Sequence, residues 1–290
     1  MQSLWMIVAS LLFASMGVCV KLGSAQFSPA ELVFYRGAIA LVLIFSFVRL
    51  RGGSLYTPHW RYHLQRSLSG FVSLVLYFYA ISILPLATAV TLNYTAPLFL
   101  AVLLVLWEKE KVRPALAGAL MVGFAGVTLL LKPTFSSEQW FGGLMGLLSG
   151  MGASVAYFNV RQLGALGEPE WRTVFYFSLV STLGGLPWVL EGSGLHAVDG
   201  HGALLLLGVG GFGALAQMAM TRAYARGKTL TTASLAYSTV IFSSLYGILL
   251  WQDVLPWTSW LAIALIVASG ALASMLPSRR RPAMAVVDTD

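Results

Sequence analysis

Ten apolar runs of about 20 residues, each bounded by charge, proline or a glycine-rich turn, dictate what this 290-residue chain can fold into. They read at 3–22, 30–49, 66–84, 87–107, 113–131, 141–160, 172–190, 202–222, 230–250 and 257–276. Each is long enough to cross a hydrocarbon core as a helix, and none shows the two-residue alternation of a barrel strand. Only 10% of the residues are charged and 58% are hydrophobic, against about a quarter charged in a soluble chain. No polar exterior could enclose such a core, so lipid is the solvent for most side chains.

The basic residues give an independent count, because cytoplasmic loops collect Lys and Arg. With the N-terminus inside, the cytoplasmic segments hold Arg49, Arg51, Arg61 and Arg66, then Lys109, Lys111 and Arg113, then Arg161 and Arg172. Arg222, Arg226 and Lys228 follow, then the cluster Arg279 to Arg281, so 15 of the 18 basic residues fall on one side. Lys21 and Lys132 sit at the opposite face, and Arg36 lies inside the second run. The reading is an inner-membrane, multi-pass protein with both termini cytoplasmic. The net charge of +7 is thereby topological rather than a nucleic-acid footprint. The N-terminus has neither a basic lead nor a small-residue cleavage site, so 4–21 reads as the first membrane helix rather than a removable signal.

Cys19 stands alone, which excludes an intrachain disulfide and a cysteine-based metal cluster. His59, His63, His196 and His201 fall in predicted loops or at helix ends without a metal-ligand spacing. No cofactor is expected.

Residues 88–110 can be laid on 231–253 with a constant shift of 143. Thr88, Thr91, Tyr94, Thr95, Phe99 and Glu110 then fall on Thr231, Ser234, Tyr237, Ser238, Phe242 and Asp253. With a shift of 140, Lys21 and Pro29 fall on Arg161 and Pro169. The fold expected is an all-α membrane protein of ten transmembrane helices as two repeats of five, 1–135 and 136–277, followed by a cytoplasmic tail, 278–290. Five being odd, the second repeat enters the membrane from the opposite face. Inverted repeats are the usual construction of secondary transporters.

The chain resembles the drug/metabolite transporter superfamily, in its ten-helix form with two EamA domains. The resemblance covers residues 3–277 and rests on YTAPLF at 94–99, WEKEKV at 107–112, AQMAMTRAY at 216–224, AYSTVIFSSLYGILLWQDV at 236–254 and FYRG at 34–37. It implies a permease moving a small organic metabolite, such as an amino acid or related compound, across the inner membrane by alternating access. An importer of a larger metabolite such as S-adenosylmethionine or riboflavin is the alternative that it leaves open. WQD at 251–253 departs from the Gly-Glu pair common in the family, which puts a strict role for that carboxylate in doubt.

Candidate substrate-binding residues follow from polarity inside apolar runs. Thr88, Thr91 and Thr95 lie at i, i+3 and i+7, and Thr231, Ser234 and Ser238 repeat that spacing. The two stripes either face each other across a central cavity or bond backbone carbonyls at helix contacts. Asn93, Tyr94 and Tyr237 stand beside them; Tyr77, Tyr79, Tyr157 and Gln217 are further polar or aromatic candidates for an organic solute. The competing reading for the tyrosines is an interfacial belt, as for most of the tryptophans. Arg36 lies about 10 Å inside the second run. It either meets a substrate carboxylate or phosphate, or pairs with Glu31 or snorkels outward. Glu108, Glu110 and Asp253 read as solvated helix ends, and no acidic residue occupies the middle of a run. Gly142, Gly146 and Gly150 permit close helix packing.

The chain lacks the reactive constellation that a membrane-embedded enzyme needs and the phosphate loop of an ATPase. A channel or structural membrane protein explains an inverted repeat less readily. The expected partners are a small-molecule substrate and the lipid bilayer, with no nucleic acid; a homodimer stays open.

Overall fold

The computed structural model describes residues 1–84, 86–107, 109, 113–131, 140–191, 195–252 and 256–275. Among them there is no strand; the long elements are twelve α-helices. These are α1 (Trp5–Gly23), α2 (Pro29–Leu50), α3 (Trp60–Ile83), α4 (Leu86–Asn93), α5 (Ala96–Leu106), α6 (Pro114–Leu131), α7 (Trp140–Ala165), α8 (Glu170–Glu191), α9 (Gly200–Arg226), α10 (Thr229–Ala236), α11 (Ser238–Trp251) and α12 (Trp257–Met275). Nine segments among the described residues are long and apolar enough to cross a membrane, two of them joining α4 to α5 and α10 to α11. Leu, Val, Phe and Trp side chains stay exposed along the outer faces of these helices, as a lipid-facing surface requires. The chain is a multi-pass membrane protein.

Local chemistry sets the ends. Ser28 caps α2 by accepting from Glu31 N, while Glu31 Oε2 accepts from Ser28 N at 2.8 Å, a reciprocal capping box with Pro29 in the first turn. Asp199 caps α9 by accepting from Gly202 N at 2.6 Å.

Two runs read from the sequence as continuous helices are each broken near their middle. Pro97 has no N–H and its ring excludes the carbonyl four residues back, so the chain turns at Tyr94 and Thr95 before α5 begins. At Tyr237 there is no proline. Ser238 and Thr239 instead turn their hydroxyls back onto the carbonyls of Leu235 (2.6 Å) and Ala236 (2.9 Å), competing with the helix ladder.

α3 runs along α7, α1 along α9, α2 against α8 and α9, and α6 against α12; α4 and α5 lean on α7. The glycine stripe of α7 serves that last contact, because a Cβ at Gly150 would lie 2.9 Å from Leu92 O and 3.1 Å from Asn93 O. α3 begins six residues before the apolar run read from the sequence. Arg66, expected at the cytoplasmic edge of that run, is therefore within the helix and only 2% exposed. Arg161, expected in a loop, lies within α7 and is also buried. His63 is likewise on α3 and buried.

Candidate functional site

Midway along α2, α8 and α9, helix faces built at three- and four-residue spacing enclose a small, mostly apolar cavity into which a few polar side chains reach. α2 contributes Arg36, Gly37 and Ala40, α8 contributes Val174, Phe177, Ser178 and Ser181, and α9 contributes Gly213, Ala214 and Gln217. Its volume is about 10 Å³, the room of a single water. Arg36 is half-buried against Gly213, where a Cβ would stand 3.4 Å from its Nε. Its guanidinium carbon lies 5.8 Å from the centre of the Phe177 ring. Arg66 reaches the same ring from α3 at 4.1 Å. Tyr157 of α7 is stacked on Tyr224 of α9 at 4.7 Å.

Several donors here are buried without a partner among the described residues: Arg36 Nε, Arg66 Nε and Nη1, Gln217 Nε2 and Ser181 Oγ. Of these residues the sequence pointed to Arg36, Gln217 and Tyr157. It missed Arg66, Phe177 and Ser181. Arg66 reads from the sequence as the cytoplasmic edge of the run 66–84, although His63, Arg66, Gly70, Ser73 and Tyr77 already form one helical face at three- and four-residue spacing.

The hydroxyl stripes do something else. Thr231 donates to Ala273 O at 2.9 Å, and Ser234 shares a 2.6 Å bond with Ser269, whose hydroxyl also reaches Ala119 O at 2.7 Å. On the other side Thr95 donates to Leu92 O at 2.5 Å and Asn93 Nδ2 to Ser149 Oγ at 3.0 Å; Thr91 is buried. Thr231 and Ser234 thus turn toward α12 and Thr95 back onto a nearby carbonyl, and none of the three lines the cavity around Arg36. What does meet are the two helix breaks, with the Tyr94 and Tyr237 rings 6.1 Å apart. Ser238 bonds back across the break to Leu235 O of α10, and Tyr79, 47% exposed, leaves the group altogether for an edge contact with Phe141. The side chain of Thr88, and Glu108, Glu110 and Asp253, lie outside the described residues.

A carboxylate and a histidine from distant parts of the chain meet at the start of α2 and again beside the α2–α3 loop. At the start of α2, Glu31 accepts from His196 N at 2.6 Å and meets His196 Nδ1 at 2.7 Å, so it is not the partner of Arg36. Gln26 adds a 3.2 Å bond to Ala197 O beside it. Near the end of α2 and the start of α3, Glu168 accepts from Thr57 and from Arg172 at 2.8 Å, and meets His63 Nε2 at 3.2 Å. Arg172 Nη2 reaches on to Ser54 O at 2.7 Å. Burial alone would raise the Glu168 pKa, but the hydrogen bonds from Thr57, Arg172 and His63 outweigh it and hold the carboxyl below its usual range.

Residues 1–132 match the EamA-like transporter family. The chain is 32% identical over 266 residues to a pseudopaline exporter of Pseudomonas aeruginosa, covering 92% of this chain and 90% of the exporter. It is 28% identical over 296 residues to a riboflavin transporter of Vibrio cholerae, covering 96% of this chain and 94% of that protein. A crystal structure 21% identical in sequence superposes with a TM-score of 0.85 over 94% of this chain and 96% of the other, a shared fold.

Proposed function

The chain belongs to the EamA-like transporter family, and from that membership we propose a secondary carrier that moves a small organic metabolite across the inner membrane by alternating access. The observation that carries this reading is the small cavity with Arg36, Gln217 and Ser181 on its wall midway along α2, α8 and α9, with one hydrogen-bonded network at the start of α2 and another at the α2–α3 loop. A cavity of about 10 Å³ is far smaller than a metabolite, so the helices must part for a solute to enter and close for it to be occluded. That is the cycle of a carrier, not of an open pore.

In this reading α3 is the tenth span beside the nine apolar segments, and the halves 1–135 and 136–277 are inverted repeats of five spans. Three features support it. Interrupted helices fall at corresponding places, α4/α5 and α10/α11, and such breaks in paired positions accompany inverted-repeat transporters. The breaks meet at Tyr94 and Tyr237. Each loop network joins the hairpin between the first two spans of one half to the loop after the second span of the other. Both termini would lie in the cytoplasm, which a reporter fused after Asp290 tests; activity only on the outer side would contradict it. The reading needs no cofactor, no nucleic acid and no enzymatic step.

Counterflow in proteoliposomes tests the carrier directly, with labelled riboflavin and an amino-acid panel as first probes. Saturable, protein-dependent exchange is expected. Flux that rises linearly with solute concentration would indicate a channel instead.

A further inference from the structure

We infer that Arg36 and Arg66 form an anion clamp on either side of the occlusion point, receiving a carboxylate or phosphate group of the transported solute while Phe177 covers its adjoining apolar part. This rests on the carrier reading above and names the class of its substrate.

The two distances to the Phe177 ring bound the separation of the guanidinium carbons at about 10 Å, so two cations share one buried neighbourhood. Neither has an ion pair among the described residues. The sequence offers none from the interior, since all eleven acidic residues lie near the ends of apolar runs, in loops or in the tail. Arginines at this depth face a counter-ion or a water-filled path, because an unpaired charge in the membrane is costly. The counter-ion is therefore brought by the cargo.

Hydrogen bonding gives the same answer. Every partnerless polar atom at the cavity is a donor or can act as one: the arginine nitrogens, Gln217 Nε2 and Ser181 Oγ. A site with a surplus of donors fits an acceptor-rich group, and planar guanidinium forks match the oxygens of a carboxylate or phosphate.

Arg66 is also seated in space that Gly70 leaves open: a Cβ there would come within 2.5 Å of Arg66 Nη1 and 3.1 Å of Phe177, while Gly213 only touches Arg36 at ordinary contact distance. Arg66 enters about 10 Å from the start of α3 and Arg36 about 10 Å from the start of α2. These starts lie at opposite ends of the bundle in the ten-span reading, so one guanidinium belongs to each approach and Phe177 stands between them. An anion handed from one to the other would cross the point of occlusion without losing its charge partner.

The test uses the full chain purified in detergent, with melting temperature read in chloride against sodium succinate or sodium phosphate at equal ionic strength. Succinate or phosphate is expected to raise the melting temperature of the wild type and not that of the Arg36→Met/Arg66→Met double variant. Arg66→Met alone should be no less stable than the wild type in chloride, because it removes an uncompensated buried charge; a structural arginine would show the reverse. Arg66→Lys, which keeps charge without the fork, covers the case in which Met variants do not fold and should weaken the shift. Equal shifts in wild type and variants, or a shift with phosphatidylglycerol alone, would overturn a solute clamp. In proteoliposomes loaded with a cellular small-molecule extract, exchanged solutes should carry a carboxylate or phosphate, with exchange falling roughly 10- to 100-fold in Arg36→Lys and Arg66→Lys. Exchange of neutral or cationic solutes alone sinks the clamp and leaves the carrier. An anion-dependent melting shift with no exchange at all sinks the carrier and leaves the anion site.

Discussion

The networks at the start of α2 and at the α2–α3 loop use the same pair of side chains, a glutamate and a histidine, in unequal amounts of water. Glu168 takes three side-chain partners, and the His63 side chain facing it is wholly buried. Glu31 is equally buried, but its partner His196 is 46% exposed along the side chain, and half of its grip comes from the His196 backbone N–H. One end is a dry side-chain cluster and the other a wet cap completed by main chain. In a cycle that opens the ends alternately, the dry end is the harder to open and the wet end the easier. Both sit close in sequence to the two arginines, His63 three residues before Arg66 and Glu31 five before Arg36. A charge arriving at either arginine is thus applied to the helix that carries a latch.

Breaking the dry end should have the largest effect. Glu168→Ala strands the His63 ring, the Thr57 hydroxyl and one arm of Arg172, and loss of one partner from a buried charged cluster costs about 3–5 kcal/mol. A denaturant titration in detergent measures it; a loss below about 1 kcal/mol would mean that this end is not a latch.

Acid probes the same contact without mutation. The closed state holds the Glu168 carboxyl below the value of about 4.3 that it would have when free, so the closed end binds fewer protons than the open one. Its contribution is present in full above that value and is lost as pH falls through the depressed one. A spin label on Tyr56→Cys in a Cys19→Ser background should remain immobile from neutral pH to about 5 and loosen only below the free carboxylate value. Loosening near pH 6 would assign the control to a histidine.

At the wet end Glu31→Ala removes a capping-box arm and both His196 contacts, with an expected loss of about 2 kcal/mol, smaller than at Glu168 because water and the Ser28 cap remain. A larger loss here than at Glu168 would reverse the order of the two ends.

These latches were invisible in the sequence for a simple reason: Glu168 lies 105 residues from His63, and His196 lies 165 from Glu31. Local chemistry was far more legible. Apolar length located the spans to within a few residues at most ends. It failed at Trp60, because a helix start carrying Arg61, His63 and Arg66 is too polar to count as an apolar run while still presenting a buried face. The break at Pro97 was available from the proline itself, whereas the break at Tyr237 depends on hydroxyls bending back, which the same residues do in unbroken helices. Thr91, Thr95, Thr231 and Ser234 are buried, but spacing cannot tell whether a hydroxyl meets a solute or a carbonyl. Ser234 illustrates this. Its partner is Ser269, so Ser234→Ala should cost about 1 kcal/mol of stability and leave transport near wild type; a transport loss with unchanged stability would return the stripe to the solute path.

The smallest expected effect discriminates best between the two ends. His196→Ala deletes only the half-exposed ring, and exposed ion pairs are worth roughly 0.2–1 kcal/mol. The residue keeps its backbone N–H, so the 2.6 Å bond to Glu31 Oε1 persists and the loop stays docked. Where the His196 ring is protonated, what remains of the effect should shrink with added salt, since the lost contact is reached by solvent ions. His63→Ala removes a ring that solvent does not reach and leaves Glu168 short of a buried partner, so its cost should exceed that of His196→Ala and barely respond to salt. Matched salt titrations of the two variants therefore read the dryness of each end directly. Equal costs with equal salt dependence would show that the two ends are closed alike, and that any preference for opening one of them is set by the cargo at Arg36 and Arg66.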